Sequence, residues 1–218
     1  QAVSEMNQRN FAGVGHTAAL LFTACTSAAT PTADNSNPSP TLSLTTAPVE
    51  EAPKAIYEAE TFASGIGFPT AMEFAPDGRL FVAEKNGAVR YITPDGKTSD
   101  PVLILTNIDT KGERGLLGLA LDPNFAETGH FWVFYTLGDA LVNRVSRFTL
   151  KDGQAADEQV SFEFNIAFET STLLNGGGLH FGPEGMLYIA AGSTNNVFAS
   201  NEPDSPQGKM HRVDPDAF

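Results

Sequence analysis

The sequence predicts an all-β fold, and three observations carry that prediction. Apolar stretches are short and bounded by Gly, Pro, Asn and Asp; no stretch keeps a helical period; and one strand–turn–strand unit recurs along the chain. With 16 Phe, 20 Gly and 14 Pro among 218 residues, the composition suits strands joined by many turns. At 41% hydrophobic residues the chain can bury a core, which excludes wholesale disorder.

From Ile56 onward each element has its own justification. Leu80-Phe81-Val82-Ala83 and Val89-Arg90-Tyr91-Ile92 are apolar enough to be strands, and Glu84-Lys85-Asn86-Gly87 between them carries the Asn-Gly hairpin cue. Asp77-Gly78, Asp95-Gly96 and Asp152-Gly153 mark further turns. Phe131-Trp132-Val133-Phe134-Tyr135 and Leu187-Tyr188-Ile189-Ala190-Ala191 are short continuous apolar runs, the pattern of buried strands.

The recurring unit fixes the architecture. Phe74-Ala75-Pro76-Asp77-Gly78-Arg79-Leu80-Phe81-Val82 is echoed by Phe181-Gly182-Pro183-Glu184-Gly185-Met186-Leu187-Tyr188-Ile189. A variant, Leu119-Ala120-Leu121-Asp122-Pro123-Asn124-Phe125 leading to Phe131-Trp132-Val133, lies between them. Strand, Pro/acid/Gly turn and strand at a period of roughly 45–60 residues is the inner hairpin of a β-propeller blade. Coincidental hairpins in a sandwich are the alternative. Residues 72–75, 116–121 and 179–181 are then the inner strands, packed between blades. Residues 56–218 have room for about three blades at that period, an incomplete arc.

The chain before Ile56 has a different texture. From Met6, Arg9 followed by the small and apolar run 11–24 reads as an export signal, too short to span a bilayer. Leu20-Leu21-Phe22-Thr23-Ala24-Cys25 resembles a bacterial lipoprotein box, with Phe22 where that motif prefers Leu. Residues 1–25 are thus an export signal of lipoprotein type with Cys25 as the lipidated residue; an ordinary signal cut near Ala24 or Ala29 is the alternative. Either reading sends the protein out of the cytoplasm. Lipidation would place it on a membrane at the cell surface or in the periplasm, and Cys25→Ser would release it or leave it unprocessed. In residues 26–55, 21 of 30 are Ser, Thr, Ala or Pro, so this segment reads as a disordered tether to the propeller domain 56–218.

Charge and cysteine content narrow the function. Thirteen basic against 26 acidic side chains give a net charge of −13 without a Lys/Arg cluster, which argues against a nucleic-acid partner. One cysteine excludes an internal disulfide, and with four scattered histidines it excludes a Cys/His metal cage. No phosphate-loop motif is present, so the glycines at 176–178 are weak evidence for phosphate.

Several motifs in order resemble the glucose/sorbosone dehydrogenase family of soluble quinoprotein sugar dehydrogenases. They are Pro69-Thr70-Ala71-Met72-Glu73-Phe74, Gly112-Glu113-Arg114-Gly115-Leu116-Leu117-Gly118-Leu119-Ala120, Asn143-Arg144-Val145-Ser146-Arg147-Phe148, Gly176-Gly177-Gly178-Leu179-His180-Phe181-Gly182-Pro183 and Gln207-Gly208-Lys209-Met210-His211-Arg212-Val213. The resemblance runs from about Ser64 to Asp216 and looks like the family's N-terminal half. It implies a six-bladed propeller that oxidises an aldose sugar at its anomeric carbon. In that chemistry a histidine takes the hydroxyl proton, hydride passes to pyrroloquinoline quinone (PQQ), calcium polarises the quinone, and electrons leave to an external acceptor.

The resemblance also locates departures. The family base falls at Leu174, which cannot accept a proton, and the acid that orients it falls at Ser193. Glu113 falls at a substrate-pocket position, with a solvated loop acid as the alternative. Asn175 is the second pocket candidate, and with the glycines after it the alternative is a tight loop. His180, between Leu179 and Phe181, points away from the face they bury and is expected to be structural rather than a substitute base. The resemblance places the calcium ligands and basic quinone-binding residues beyond this stretch, so no metal or cofactor residue is assigned and the chain reads as an inactive fragment or variant. A non-catalytic extracytoplasmic propeller that binds a glycan or protein is the alternative function. A lactonase-type hydrolytic propeller lacks recognisable metal-binding acids here.

Overall fold

The computed structural model describes residues 57–166, 168–196 and 198–217. The export signal with Cys25 and the tether lie outside the described residues. Among the described residues no helix is long and apolar enough to cross a membrane.

Among the described residues eleven strands form three antiparallel meanders. The first contains β1 (Pro69–Phe74), β2 (Leu80–Glu84), β3 (Ala88–Ile92) and β4 (Leu103–Ile104), hydrogen-bonded in chain order. The second contains β5 (Leu116–Leu121), β6 (His130–Thr136), β7 (Val142–Lys151) and β8 (Gln154–Asn165), again in order. The third has β9 (Gly176–Phe181), β10 (Leu187–Ala191) and β11 (Lys209–Val213). Each sheet is a propeller blade, and the three make an incomplete propeller arc.

The repeat read from sequence is the inner hairpin of each blade. Phe74 pairs with Leu80, Leu121 with Phe131 and Phe181 with Leu187 at the three hairpin necks. In the middle copy the turn is enlarged by one helical turn, α1 (Phe125–Thr128), which ends at Gly129 in the left-handed conformation. Asp152 and Gly153 both take positive φ between β7 and β8, the backbone twist a two-residue hairpin prefers.

Strand alternation assigns each side chain to one side of its blade. On β6, Phe131, Val133 and Tyr135 face the first blade, where they meet Phe81, Ala83 and Val89. Trp132 and Phe134 face the third blade and meet Leu179, Leu187 and Ile189. The core is therefore two apolar layers, one between each pair of blades. The inner strand β5 lies beside both β1 and β9. That approach depends on Gly118: a Cβ there would sit 1.9 Å from the Gly177 carbonyl oxygen.

Met72 and Phe74 of β1 depart from the sequence expectation that inner-strand apolar residues pack between blades. They are 67% and 66% exposed, because they point away from the second blade and no blade lies on that side among the described residues. Leu80, Val82 and Ile92 on the same side are covered by Ala63 and Ile66 from the preceding segment.

Candidate functional site

Inner strands β1, β5 and β9 begin at one end of the arc, and β2 and β10 finish there. The loops gathered at this end form an open cleft of about 360 Å³ lined by Phe68, Thr70, Lys85, Glu113, Leu174 and Asn175, among others. Three of the positions singled out by sequence therefore share one cleft: Glu113, Leu174 and Asn175.

Glu113 is set by two hydrogen bonds to the loop before β9. Its backbone N–H donates to the Thr172 carbonyl at 2.8 Å, and its Oε2 accepts the Leu174 N–H at 2.8 Å. Leu174 sits at φ 57° in the left-handed region and is 52% exposed. Its carbonyl accepts the Thr194 N–H at 2.9 Å, which brings the position next to Ser193. The places of the expected base and its orienting acid thus lie on adjoining loops, as leucine and serine.

Asn175 lines the same cleft but is buried, and its amide is engaged. Thr136 Oγ1 donates to Asn143 Oδ1 at 2.7 Å, Asn143 Nδ2 donates to Asn175 Oδ1 at 3.3 Å, and Asn175 Nδ2 donates to the Thr172 carbonyl at 3.4 Å. This relay ties the cleft loop to the second blade and gives the buried amides of Asn143 and Asn175 their partners. His180 is exposed on β9 while its neighbour Leu179 is buried.

Sequence reasoning missed Arg114 and Lys85. Arg114 is fully buried and pairs with Asp109 at 2.7 Å, while its Nη2 donates to the carbonyls of Glu169 and Ser171 at 2.9 and 3.0 Å. It locks the loop that carries Leu174 to the strand that follows Glu113. Burial pushes the Asp109 carboxyl up, but the Lys111 N–H and the Arg114 guanidinium outweigh it and hold the group below the usual carboxylate range. The available signal was position: Arg114 directly follows Glu113 in a glycine-flanked motif with few other charges. Lys85 extends from the β2–β3 turn, and its Nζ donates to the Thr110 and Gly112 carbonyls at 3.0 and 2.6 Å. No feature of the hairpin sequence marks that reach across to the second blade.

The donor set does not fit the quinone or its calcium by itself. A polycarboxylate quinone needs several free cations, yet the one basic side chain lining this cleft is Lys85, already shared by two carbonyls beside the Glu113 carboxylate. Among the described residues no group of three or more His, Cys, Asp or Glu could hold a metal ion.

The sequence model of the family described as Glucose / Sorbosone dehydrogenase matches residues 66–218. The chain belongs to that family. The Escherichia coli (strain K12) aldose sugar dehydrogenase YliI is 26% identical over 167 residues, covering 73% of this chain and 44% of the relative. The solved PQQ-bound form of aldose sugar dehydrogenase from Streptomyces coelicolor superposes with a TM-score of 0.60 at 26% identity, covering 72% of this chain and 47% of that one. The hedgehog-interacting protein of Mus musculus is 33% identical over 147 residues, covering 59% of this chain and 21% of the relative. The chain spans less than half the length of each of these relatives.

Proposed function

We propose that this chain supplies one wall of the aldose cup of a PQQ-dependent sugar dehydrogenase, and that the 218-residue chain does not itself oxidise sugar. One observation carries the reading: the Glu113 carboxylate is fixed in a solvent-open cleft on the N–H of Leu174, where the family resemblance calls for a histidine. The wall that would meet sugar hydroxyls is kept, and the group that would take the proton is absent. The residues of this chain would orient the sugar, and the quinone that supplies the redox chemistry in the family would need cations that this cleft does not itself offer.

Magnitudes favour inactivity. A positioned general base contributes roughly 10²–10⁴-fold, and neither Leu174 nor Ser193 can serve as one at neutral pH. The expected outcome is that the chain, with excess PQQ and calcium, reduces an electron-accepting dye with glucose no faster than the buffer does. Leu174→His should not restore turnover in this chain, because a base that takes the hydroxyl proton achieves nothing when no acceptor is held to receive the hydride from the anomeric carbon. Turnover by the unmodified chain would show that the active site lies elsewhere.

A second reading has its own support. The hedgehog-interacting protein shares this stretch at 33% identity, and its name describes binding to another protein rather than catalysis. A propeller wall without a base suits recognition of a glycan or protein equally well. Glycan or protein binding that persists without PQQ and without any turnover would favour this reading over the enzymatic one.

A further inference from the structure

Phe68 immediately precedes β1 at the edge of the cleft and is 70% exposed. Its backbone lies at φ 54°, in the left-handed region that bulky residues adopt only when their surroundings hold them there. The surroundings do hold it. The Lys85 N–H donates to the Phe68 carbonyl at 3.0 Å, and the preceding Gly67 N–H donates to Glu84 Oε1 at 3.1 Å. Two residues later Thr70 Oγ1 donates to the Leu116 carbonyl at 2.7 Å. The Lys85 ammonium rests 5.3 Å from the ring centroid, over one face of the ring. An exposed aromatic ring is thus presented on strained, pinned backbone, and the lysine that pins it also braces the carbonyl of Gly112, next to Glu113.

We propose that Phe68 is the stacking platform of the aldose subsite and takes the C–H face of a neutral pyranose, while Glu113 in the same cleft meets the hydroxyl rim. This rests on the sugar reading above. A pyranose has apolar faces and a polar rim, and its C–H bonds carry the partial positive charge that the electron-rich face of an aromatic ring attracts. The cleft offers the same two characters, with Phe68, Leu117 and Leu174 as its apolar part and Glu113, Lys85 and Asn175 as its polar part. Its volume, about 360 Å³, lies within the range of small-molecule sites. The Glu113 carboxylate sets the ligand's charge, because an anionic sugar would meet like charge there. Phe68 therefore selects cyclic over acyclic polyols, and Glu113 selects neutral over acidic sugars.

Saturation-transfer NMR with the 218-residue chain and glucose, sorbitol or glucuronate tests this without any need for turnover. The wild-type chain should bind glucose, with transfer concentrated on the ring C–H protons, and should bind sorbitol and glucuronate more weakly. Phe68→Ala should weaken glucose about 3–10-fold, the range expected of an aromatic contact. Phe68→Trp should retain binding, and both variants should keep the wild-type melting temperature. Equal glucose binding by the wild type and Phe68→Ala, or equal binding of glucose and sorbitol, overturns the platform and leaves the sugar reading standing. No binding of glucose by the wild type removes both.

Discussion

The first and second blades are written in the same pattern and meet different surroundings. On β6 of the second blade every residue from Phe131 to Thr136 is buried, because apolar layers lie on both sides. On β1 of the first blade Met72 and Phe74 stand exposed, although each is as hydrophobic as its counterpart in β5. The difference shows that a blade's sequence encodes two faces, and that burial is conferred by the neighbour. Alternation makes the encoding visible; whether a given face becomes core depends on the sheet that covers it.

The largest expected effect breaks the comparison directly. Trp132 is 1% exposed, packs edge-on against Phe181 at 5.0 Å and donates its Nε1–H to Ser161 Oγ at 3.2 Å. Trp132→Ala should cost about 3–5 kcal/mol, the range for truncating a buried aromatic. Phe74→Ala should change stability by no more than about 0.5 kcal/mol in this chain, as at an ordinary surface position. Urea denaturation of both variants checks the pair. A large loss at Phe74 would mean that its side of the first blade is covered in solution.

Much of this architecture was legible in the sequence because blade hairpins announce themselves locally. Pro76-Asp77-Gly78 and Pro183-Glu184-Gly185 fix the turns, and the apolar runs on either side fix the strands. The cleft was only half legible. Glu113, Leu174 and Asn175 came from motif position, and the fold brings them into one place. Arg114, Lys85 and Phe68 did not, because their roles depend on contacts 25 or more residues distant or on a backbone conformation that no local cue encodes. Arg114 meets the carbonyls of Glu169 and Ser171 only after the second and third blades have come together.

The Arg114–Asp109 pair provides the next test, since it belongs to the cleft loops rather than to either apolar layer. Removing the cation leaves a largely buried carboxylate without its partner, so Arg114→Met should cost about 3–5 kcal/mol. The pair also predicts a pH dependence. The folded Asp109 carboxyl lies below its ordinary value, so its contribution is complete above the unfolded value near about pH 4 and fades as the pH falls through the folded value. Urea midpoints of the wild type should therefore drop as the pH falls below about 4 more steeply than those of Asp109→Asn. Parallel curves for the two proteins would show that another carboxylate governs acid stability.

A smaller effect than the loss of Arg114 lies at Leu174 and separates the two loops from the blades they join. Leucine at φ 57° is in a conformation that costs an L-residue with a side chain roughly 1–2 kcal/mol relative to right-handed backbone. Asparagine and histidine tolerate that region better than aliphatic residues do, and β-branched residues tolerate it worst. Half of Leu174 is already exposed, so its replacement forfeits little apolar burial. Leu174→Asn and Leu174→His should thus raise stability by a few tenths to about 1 kcal/mol, and Leu174→Val should lower it by a similar amount. The ordering is the test, because burial alone would predict valine to be the mildest of the three changes. A urea series in which Val is tolerated best would place Leu174 in ordinary backbone. The ordering Asn and His above Leu above Val would mean that the loop geometry suited to a histidine persists where leucine now stands.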